Sequence, residues 1–378
     1  MVARKDEPSL KSKRIVIKVG SSVLTATDEV GLNLEILSSI ASQISSLLVS
    51  GREIVLVSSG AIAAGLKHLN IKKYPKSMPE RQGAAAVGQP ILMDAYSKVF
   101  NKLNLNIAQI LLTHSDLDKR ERFLNACNTI DNLLHKKIIP IVNENDTVST
   151  EEIKFGDNDS LAAQVAQMTR SGIVVILSDV EGMYSENPNL NKNAKLLSRI
   201  ENFSDELIDA AGKSNNKFSH GGMVTKIRAI KVLGQIGIST LMLKGRSQDV
   251  ILRSLEGEEI GSFFVSKEKR INARKGWIGT TAKSRGWLKI DDGAVEALLR
   301  KGRSLLPSGV VDAGGNFSFG DVVELQSVEG KPLGRGLVNY NCEEVKLIAG
   351  KHTREINSIL GSKDYDEIIH RNNFLFVN

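Results

Sequence analysis

The sequence predicts an α/β protein: a three-layer αβα sandwich around a mainly parallel sheet, followed by a small C-terminal β-barrel. Three observations carry that expectation. Short apolar runs recur through residues 12–266, and most lead into a stretch with the apolar spacing of a helix. Several of those runs end in Gly, Ser, Asn or Asp, the residues of strand-to-helix turns. At Lys267–Lys275 the pattern stops, and beyond it glycines are dense and strands short. The expected division is a domain over 12–266, a charged linker over 267–275 and a minor domain over 276–361.

A length of 378 residues is generous for one domain and comfortable for two. Cys127 and Cys342 lie far apart without metal-ligand company, which reads as free thiols in a reducing compartment. The opening MVARKDEPSLKSKR has no apolar core, and no apolar run approaches membrane-spanning length. A cytoplasmic protein without a membrane partner is expected. The formal net charge of +7 raises nucleic acid as a partner. Yet residues 285–355 carry ten basic and ten acidic residues, so the excess lies in residues 1–284, where 38 basic residues face 30 acidic ones. A basic excess there suits a phosphate-rich small ligand as readily as a polyanion.

The first strand is Arg14–Val19, followed by Gly20, Ser21 and Ser22. Lys18 is out of place in so apolar a run, because a lysine is rarely buried without a partner. A strand-end lysine beside Gly-Ser-Ser suits a terminal phosphate; a lysine snorkelling from a strand edge fits the same residues. No G-x-x-x-x-G-K-[ST] and no G-x-G-x-x-G occurs, so the P-loop and dinucleotide fingerprints are absent. Leu34–Val49 has a helical stripe that ends at Gly51. The strand Ile54–Val57 runs into Ser58, Ser59, Gly60 and Ala61, whose exposed N–H groups suit a carboxylate or phosphate. A plain tight connection needs the same small residues. A helix around Ala84–Leu103, a strand at Ile107–Leu112 and a helix around Arg122–Lys136 follow.

Ile138–Val142 is the next buried strand. Straight off it come Asn143, Glu144, Asn145 and Asp146, and a short polar excursion later come Gly156, Asp157, Asn158 and Asp159. The second cluster enters a helix bearing Leu161, Val165 and Met168. Either cluster alone would serve as Asx turns and N-caps. Both lie at the carboxyl end of one strand, where the ligand crevice of a parallel sheet is found, and together they mark a candidate active site. After the strand Ile173–Leu177 comes the polar turn Ser178–Gly182. Ser219–Lys226 then opens a helix, with Gly221 and Gly222 at its start and Lys226 one turn in, a second cradle for phosphate. Ser239–Leu243 and 260–265 close the domain. Beyond the linker, strands are expected at Trp287–Ile290, at Ser304–Val311 and on either side of Glu329–Gly330, with a helix near Ala294–Lys301.

Taken in order, Lys18-Val-Gly-Ser-Ser, Ser58-Ser-Gly-Ala, Asn143-Glu-Asn-Asp, Gly156-Asp-Asn-Asp, Ser178-Asp and Gly221-Gly-Met-Val-Thr-Lys226 resemble the glutamate 5-kinases. Leu305-Leu-Pro-Ser-Gly, Gly315-Asn-Phe and Gly320-Asp resemble the PUA domain of the bacterial members, and the likeness covers about residues 14–361. The resemblance implies an amino-acid-kinase fold, a PUA-like C-terminal domain, ATP with Mg2+, and phosphorylation of the γ-carboxylate of L-glutamate, the first step towards proline. It also implies a homo-oligomer, a dimer or tetramer, and feedback inhibition by proline. Lys18 and Lys226 would flank the phosphoryl in flight, with Asp159 as the anion that holds them apart. Asp146 would meet the ammonium of glutamate, Ser59 and Asn158 its α-carboxylate, and Asp157 lies in the same loop. Lys18, Ser178, Asp179, His220, Gly221, Gly222, Met223, Val224, Thr225 and Lys226 fall on the nucleotide side. His220 departs from the family pattern, where a small or hydroxylated residue is usual. The magnesium ligands are not legible. Two other readings use the same residues: an RNA-binding or RNA-modifying PUA protein, against which the neutral 285–355 segment speaks, and a related kinase acting on acetylglutamate, carbamate or a nucleoside monophosphate.

Overall fold

The computed structural model describes residues 4–25, 32–71, 73–149, 158–186, 188, 191, 193–201, 222–266, 273–299 and 301–376. The chain forms two compact units. One is Met1–Asp116 with Phe123–Arg270, the other Leu117–Arg122 with Ile271–Asn378. Most of the expected linker, residues 267–272, lies outside the described residues.

The first unit is built on eight strands: β1 (Arg14–Val19), β2 (Glu53–Ser58), β3 (Ile107–Leu112), β4 (Ile139–Glu144), β5 (Ile173–Ser178), β6 (Arg199–Ile200), β7 (Ser239–Lys244) and β8 (Ser262–Phe264). They lie in the order β3-β4-β2-β1-β5-β7-β8-β6, parallel except where β8 meets β7. Between the strands run α1 (Ser21–Leu24), α2 (Leu34–Val49), α3 (Ala61–His68), α4 (Met78–Asn101), α5 (His114–Asp118), α6 (Arg120–His135), α7 (Asn158–Met168) and α8 (Met223–Gln235). Central strands such as β5, IVVILS, are buried along their whole length, as a sheet covered on both faces requires. Successive side chains of β1 point to opposite faces. Ile15, Ile17 and Val19 pack with Leu37 and Ile40 of α2 and Leu92 and Tyr96 of α4, while α7 lies against β1, β2 and β5. Helices thus cover both faces of a mainly parallel sheet, which is the three-layer sandwich the alternation predicts.

Two details of this unit set the site. Helices α3 and α4 touch through glycine: a Cβ on Gly88 would sit 1.8 Å from the carbonyl oxygen of Ala61, and one on Gly65 1.8 Å from that of Ala84. Helix α7 is tied to β1 at both ends. Its first turn carries Asp159, which meets Lys18, and just past its last turn the carbonyl of Thr169 accepts from Arg14 Nη1 at 2.6 Å. The same guanidinium reaches Glu53 at 2.8 Å and Asp131 at 2.6 Å, so one side chain gathers β1, β2, α6 and the end of α7. Eleven helical residues span about 16 Å and the four steps from Arg14 to Lys18 about 13 Å, so strand and helix match in length.

The second unit has a five-stranded sheet in the order β10-β9-β11-β12-β13, from β9 (Ser284–Ile290), β10 (Val310–Gly315), β11 (Val322–Gln326), β12 (Pro332–Leu337) and β13 (Phe374–Phe376). Its core gathers Leu288, Val323, Leu325, Val345 and Ile368. Trp277 Nε1 donates to the carbonyl of Leu117 at 2.7 Å and Arg285 pairs with Asp118 at 2.9 Å, which places Leu117–Arg122 here. The strand expected over Ser304–Val311 begins only at Val310. Pro307 opens a 3-10 turn, Pro307–Gly309, and leaves Leu305 a single bridge to Ile369.

Because the α3–α4 contact is backbone on backbone, Gly88→Ala should lower stability by about 1–3 kcal/mol, the range for an overpacked core. Thermal unfolding measures it. An unchanged midpoint would mean that the helices separate at little cost.

Candidate active site

Every element of the site ends at the carboxyl side of the central strands. Lys18 is the penultimate residue of β1 and is 5% exposed. Asp159, in the first turn of α7, is 1% exposed, and Lys226 lies in the first turn of α8 at 8%. The carboxylate bridges the two ammonium groups, Oδ1 to Lys18 Nζ at 2.5 Å and Oδ2 to Lys226 Nζ at 3.3 Å. Burial works against ionisation of Asp159, but the charges and hydrogen bonds of the two lysines outweigh it and hold the carboxyl below its usual range. Three residues separated by more than 60 positions in sequence thus form one buried group with net charge +1. Such a group attracts an anion.

Beside it lies a network of short polar side chains. Gly60, with φ +108, adopts the left-handed conformation that turns β2 into α3 and presents Ser59. Asn158 Nδ2 lies 2.8 Å from Ser59 Oγ, 2.9 Å from the carbonyl of Ser58 and 3.0 Å from Asn143 Oδ1. Asn143 Nδ2 in turn donates to Gln89 Oε1 at 2.8 Å, and Tyr96 Oη lies 2.9 Å from Ser58 Oγ. At the last position of β4, Glu144 is buried and accepts from Ser149 Oγ at 2.6 Å. Burial, and after it the charge of Glu144, push Asp146 up to about 7. A carboxyl so placed favours a cation beside it.

On the other side of the bridge, Ser178 at the end of β5 is buried and donates to Asp179 Oδ1 at 3.1 Å, while Asp179 is exposed. Gly222 caps α8 in an extended conformation, and a Cβ there would meet nothing within 4 Å. Packing therefore does not demand glycine at that point; glycine adds no side chain of its own over the N–H groups of Met223 and Val224, while the Thr225 N–H donates to the Gly222 carbonyl at 3.1 Å. Thr225 Oγ1 folds back onto the carbonyl of Gly222 at 2.8 Å. Asp157, His220 and Gly221 lie outside the described residues. The structure brings Lys18, Asp159 and Lys226 together, joins Ser59 to Asn158, and places Asp146 beside Glu144. Asn143, Gln89 and Tyr96 join the network without having been singled out. Asn143 stood in a polar cluster at a strand end, but Gln89 and Tyr96 stand singly within a long helix, away from any strand end or turn.

A parallel sheet with one lysine at a strand end and a second at a helix start, around a buried carboxylate, is the framework of a phosphotransferase, and residues 13–241 match the amino acid kinase family, with residues 286–360 matching the PUA domain. The glutamate 5-kinase of Geobacter sulfurreducens is 47% identical over 367 residues, 97% of this chain and 98% of that one. That of Thermoanaerobacter sp. (strain X514) is 46% identical over 364 residues, 96% and 98% of the two chains. That of Thermus thermophilus is 44% identical over 364 residues, 96% and 97%. The chain belongs to the glutamate 5-kinase family. Among solved structures, carbamate kinase from Giardia lamblia bound to AMP-PNP superposes with a TM-score of 0.50 at 17% identity, over 68% of this chain and 100% of that one, and shares the fold.

Removing the anion from the bridge should be costly. Asp159→Asn leaves two buried ammonium groups without their common partner, and breaking a buried charge pair this way destabilises by about 3–5 kcal/mol. Urea unfolding of the variant measures the loss. Stability equal to the parent's would show that the lysines turn to other partners.

Proposed function

We propose that this chain transfers the γ-phosphoryl group of ATP to the γ-carboxylate of L-glutamate, giving L-glutamyl 5-phosphate. The observation that carries the reading is the Lys18–Asp159–Lys226 bridge at the strand ends. A carboxylate oxygen attacks the γ-phosphorus, the bond to the β–γ bridging oxygen breaks, and ADP leaves. The attacking carboxylate is already ionised at neutral pH, so no base is needed. What the site must supply is approach of two anions and neutralisation of the charge spread over the transferred group. Lys18 and Lys226 meet that charge from two sides, and Asp159 keeps them aimed and apart. Ser178, Asp179, Gly222, Met223, Val224 and Thr225 face the nucleotide, together with His220 and Gly221. Mg2+ arrives with ATP, held chiefly by phosphate oxygens and water as that ion prefers.

Asp146 takes the ammonium of glutamate, and an acyl group on that nitrogen would remove the cation it awaits. Ser59, at the start of α3, takes the α-carboxylate, with Asn158 and Asp157 completing the pocket. The further expectations of this reading are a cytoplasmic enzyme of proline formation, assembled as a dimer or tetramer and inhibited by proline. No helix among the described residues is long and apolar enough to cross a membrane.

Incubation with ATP, L-glutamate and hydroxylamine tests the reading by trapping the acyl phosphate as a hydroxamate, and no glutamate-dependent hydroxamate would sink it. Lys18→Ala and Lys226→Ala should each lower kcat about a hundredfold or more, with much smaller changes in KM, as when one preorganised charge-stabilising donor is lost. A near-normal kcat would make that lysine structural.

The raised value of Asp146 gives a pH dependence. Below about 7 the free carboxyl is protonated and meets the ammonium without charge; above it the contact is charge-assisted. The γ-carboxyl of glutamate itself ionises near 4.3 and stays charged throughout. KM for glutamate should therefore be about tenfold higher at pH 6 than at pH 8, with KM for ATP changing little. A flat glutamate KM across that interval would remove Asp146 from the ammonium contact.

A further inference from the structure

Helix α4 supplies two side chains to the polar network, Gln89 and Tyr96. They are seven residues apart, two helical turns, and so lie on one face. Each ties down a different strand end: Gln89 reaches Asn143 of β4 and Tyr96 reaches Ser58 of β2. Both ties converge on Asn158, which touches Asn143 Oδ1 and the carbonyl of Ser58 with the same nitrogen.

The orientations of the Asn143, Gln89 and Asn158 amides follow from one fixed donor. The backbone N–H of Glu144 points at the Asn143 side chain at 2.9 Å, so the atom it meets must be the oxygen, Oδ1. The other end of that amide, Nδ2, therefore faces Gln89, which must answer with Oε1. The Asn158 atom that meets Asn143 Oδ1 must be a donor, hence Nδ2, and its contacts with two further oxygens, Ser59 Oγ and Ser58 O, agree. Asn158 is thus left with Oδ1, a buried acceptor with no hydrogen-bond partner among the described residues. The hydroxyls are ordered as well. Ser58 Oγ gives its single proton to the carbonyl of Ser59 at 3.0 Å, so Tyr96 must be the donor to Ser58. Burial holds the Tyr96 phenol well above its usual range, against the smaller effect of Ser58, so that proton stays in place.

We propose that Gln89 and Tyr96 are positioning residues of the acceptor site, which lock the Asn158 amide so that it offers an oxygen, not a nitrogen, to the α-ammonium of the substrate. The inference rests on the glutamate reading above and alters one part of it: Asn158 joins Asp146 at the ammonium, and the α-carboxylate is left to Ser59 and the N-terminus of α3. The chemistry is that of a site for a substrate with a free ammonium next to a carboxylate. With Gln89 removed, Asn143 Nδ2 loses its acceptor, and the Asn143–Asn158 pair keeps its direction only through the Glu144 N–H and the Ser58 and Ser59 oxygens, so Asn158 Oδ1 is held less firmly towards the cation.

The test compares the parent with Gln89→Leu and Tyr96→Phe. Initial rates give kcat and both KM values with L-glutamate, and the inhibition constant of glutarate, which keeps both carboxylates and lacks the ammonium, is measured against glutamate. Gln89→Leu should raise KM for glutamate about tenfold and Tyr96→Phe about threefold. The values of kcat, KM for ATP and the glutarate constant should stay within about twofold of the parent. Unchanged glutamate KM in both variants overturns the proposal. So does a loss of glutarate binding equal to the loss of glutamate, which would mark Gln89 and Tyr96 as general supports of the pocket. A parent without glutamate-dependent turnover removes the glutamate reading and this inference with it; a parent with turnover and unaffected variants removes this inference alone.

Discussion

The structure of this chain turns on one carboxylate between two ammonium groups. A lone charge carried into a protein interior loses hydration worth several kcal/mol, and two like charges placed side by side lose more. Asp159 makes the burial of Lys18 and Lys226 tolerable, and the three side chains together keep one positive charge in excess. In the proposed reading, an incoming phosphate balances that excess. Strand β1, helix α7 and helix α8 each deliver one member, so the packing of the sheet and two helices is held to the tolerance of a hydrogen bond.

Charge is divided across the crevice in the sense that an amino acid acceptor and a nucleotide donor require. Towards α8 the site is cationic and lined by helix N–H groups. Towards β4 it carries Glu144 and Asp146, and the neutral amides of Asn143 and Asn158 separate the two regions. The amides are shorter in reach than charges and fixed in direction by their hydrogen bonds.

How much of this could be read in the residues depended on range. Strands such as Arg14–Val19 and Ile173–Ser178 declare themselves because a buried parallel strand is a nearly unbroken apolar run. Lys18 is conspicuous inside one for the same reason. Asp159 and Lys226 follow from helix starts, a local signal. Gln89 and Tyr96 are different, since their partners lie 54 and 38 positions away and no local pattern marks a glutamine or tyrosine that reaches so far. The join of Leu117–Arg122 to the C-terminal unit is equally silent, because Trp277 binds only a main-chain carbonyl there. The strand expected over Ser304–Val311 failed on a proline whose turn outweighs the apolar residues around it. The contact between α3 and α4 stayed hidden because glycine leaves no hydropathy signature.

The attachment of α7 to β1 at both ends has a consequence for how such a chain can vary. Arg14 and Lys18 form a scale of fixed length, and the helix between Asp159 and Thr169 is cut to it. The intervening side chains include Ala162, Ala163 and Ala166, a smooth surface that gives the helix little purchase against sliding. Replacing any of them alters packing and leaves the two ends where they are. Adding or deleting one residue turns one end by about 100° relative to the other and shifts it by about 1.5 Å. Either the carboxylate leaves the lysines or the carbonyl leaves the arginine. This helix can drift in composition but not in length.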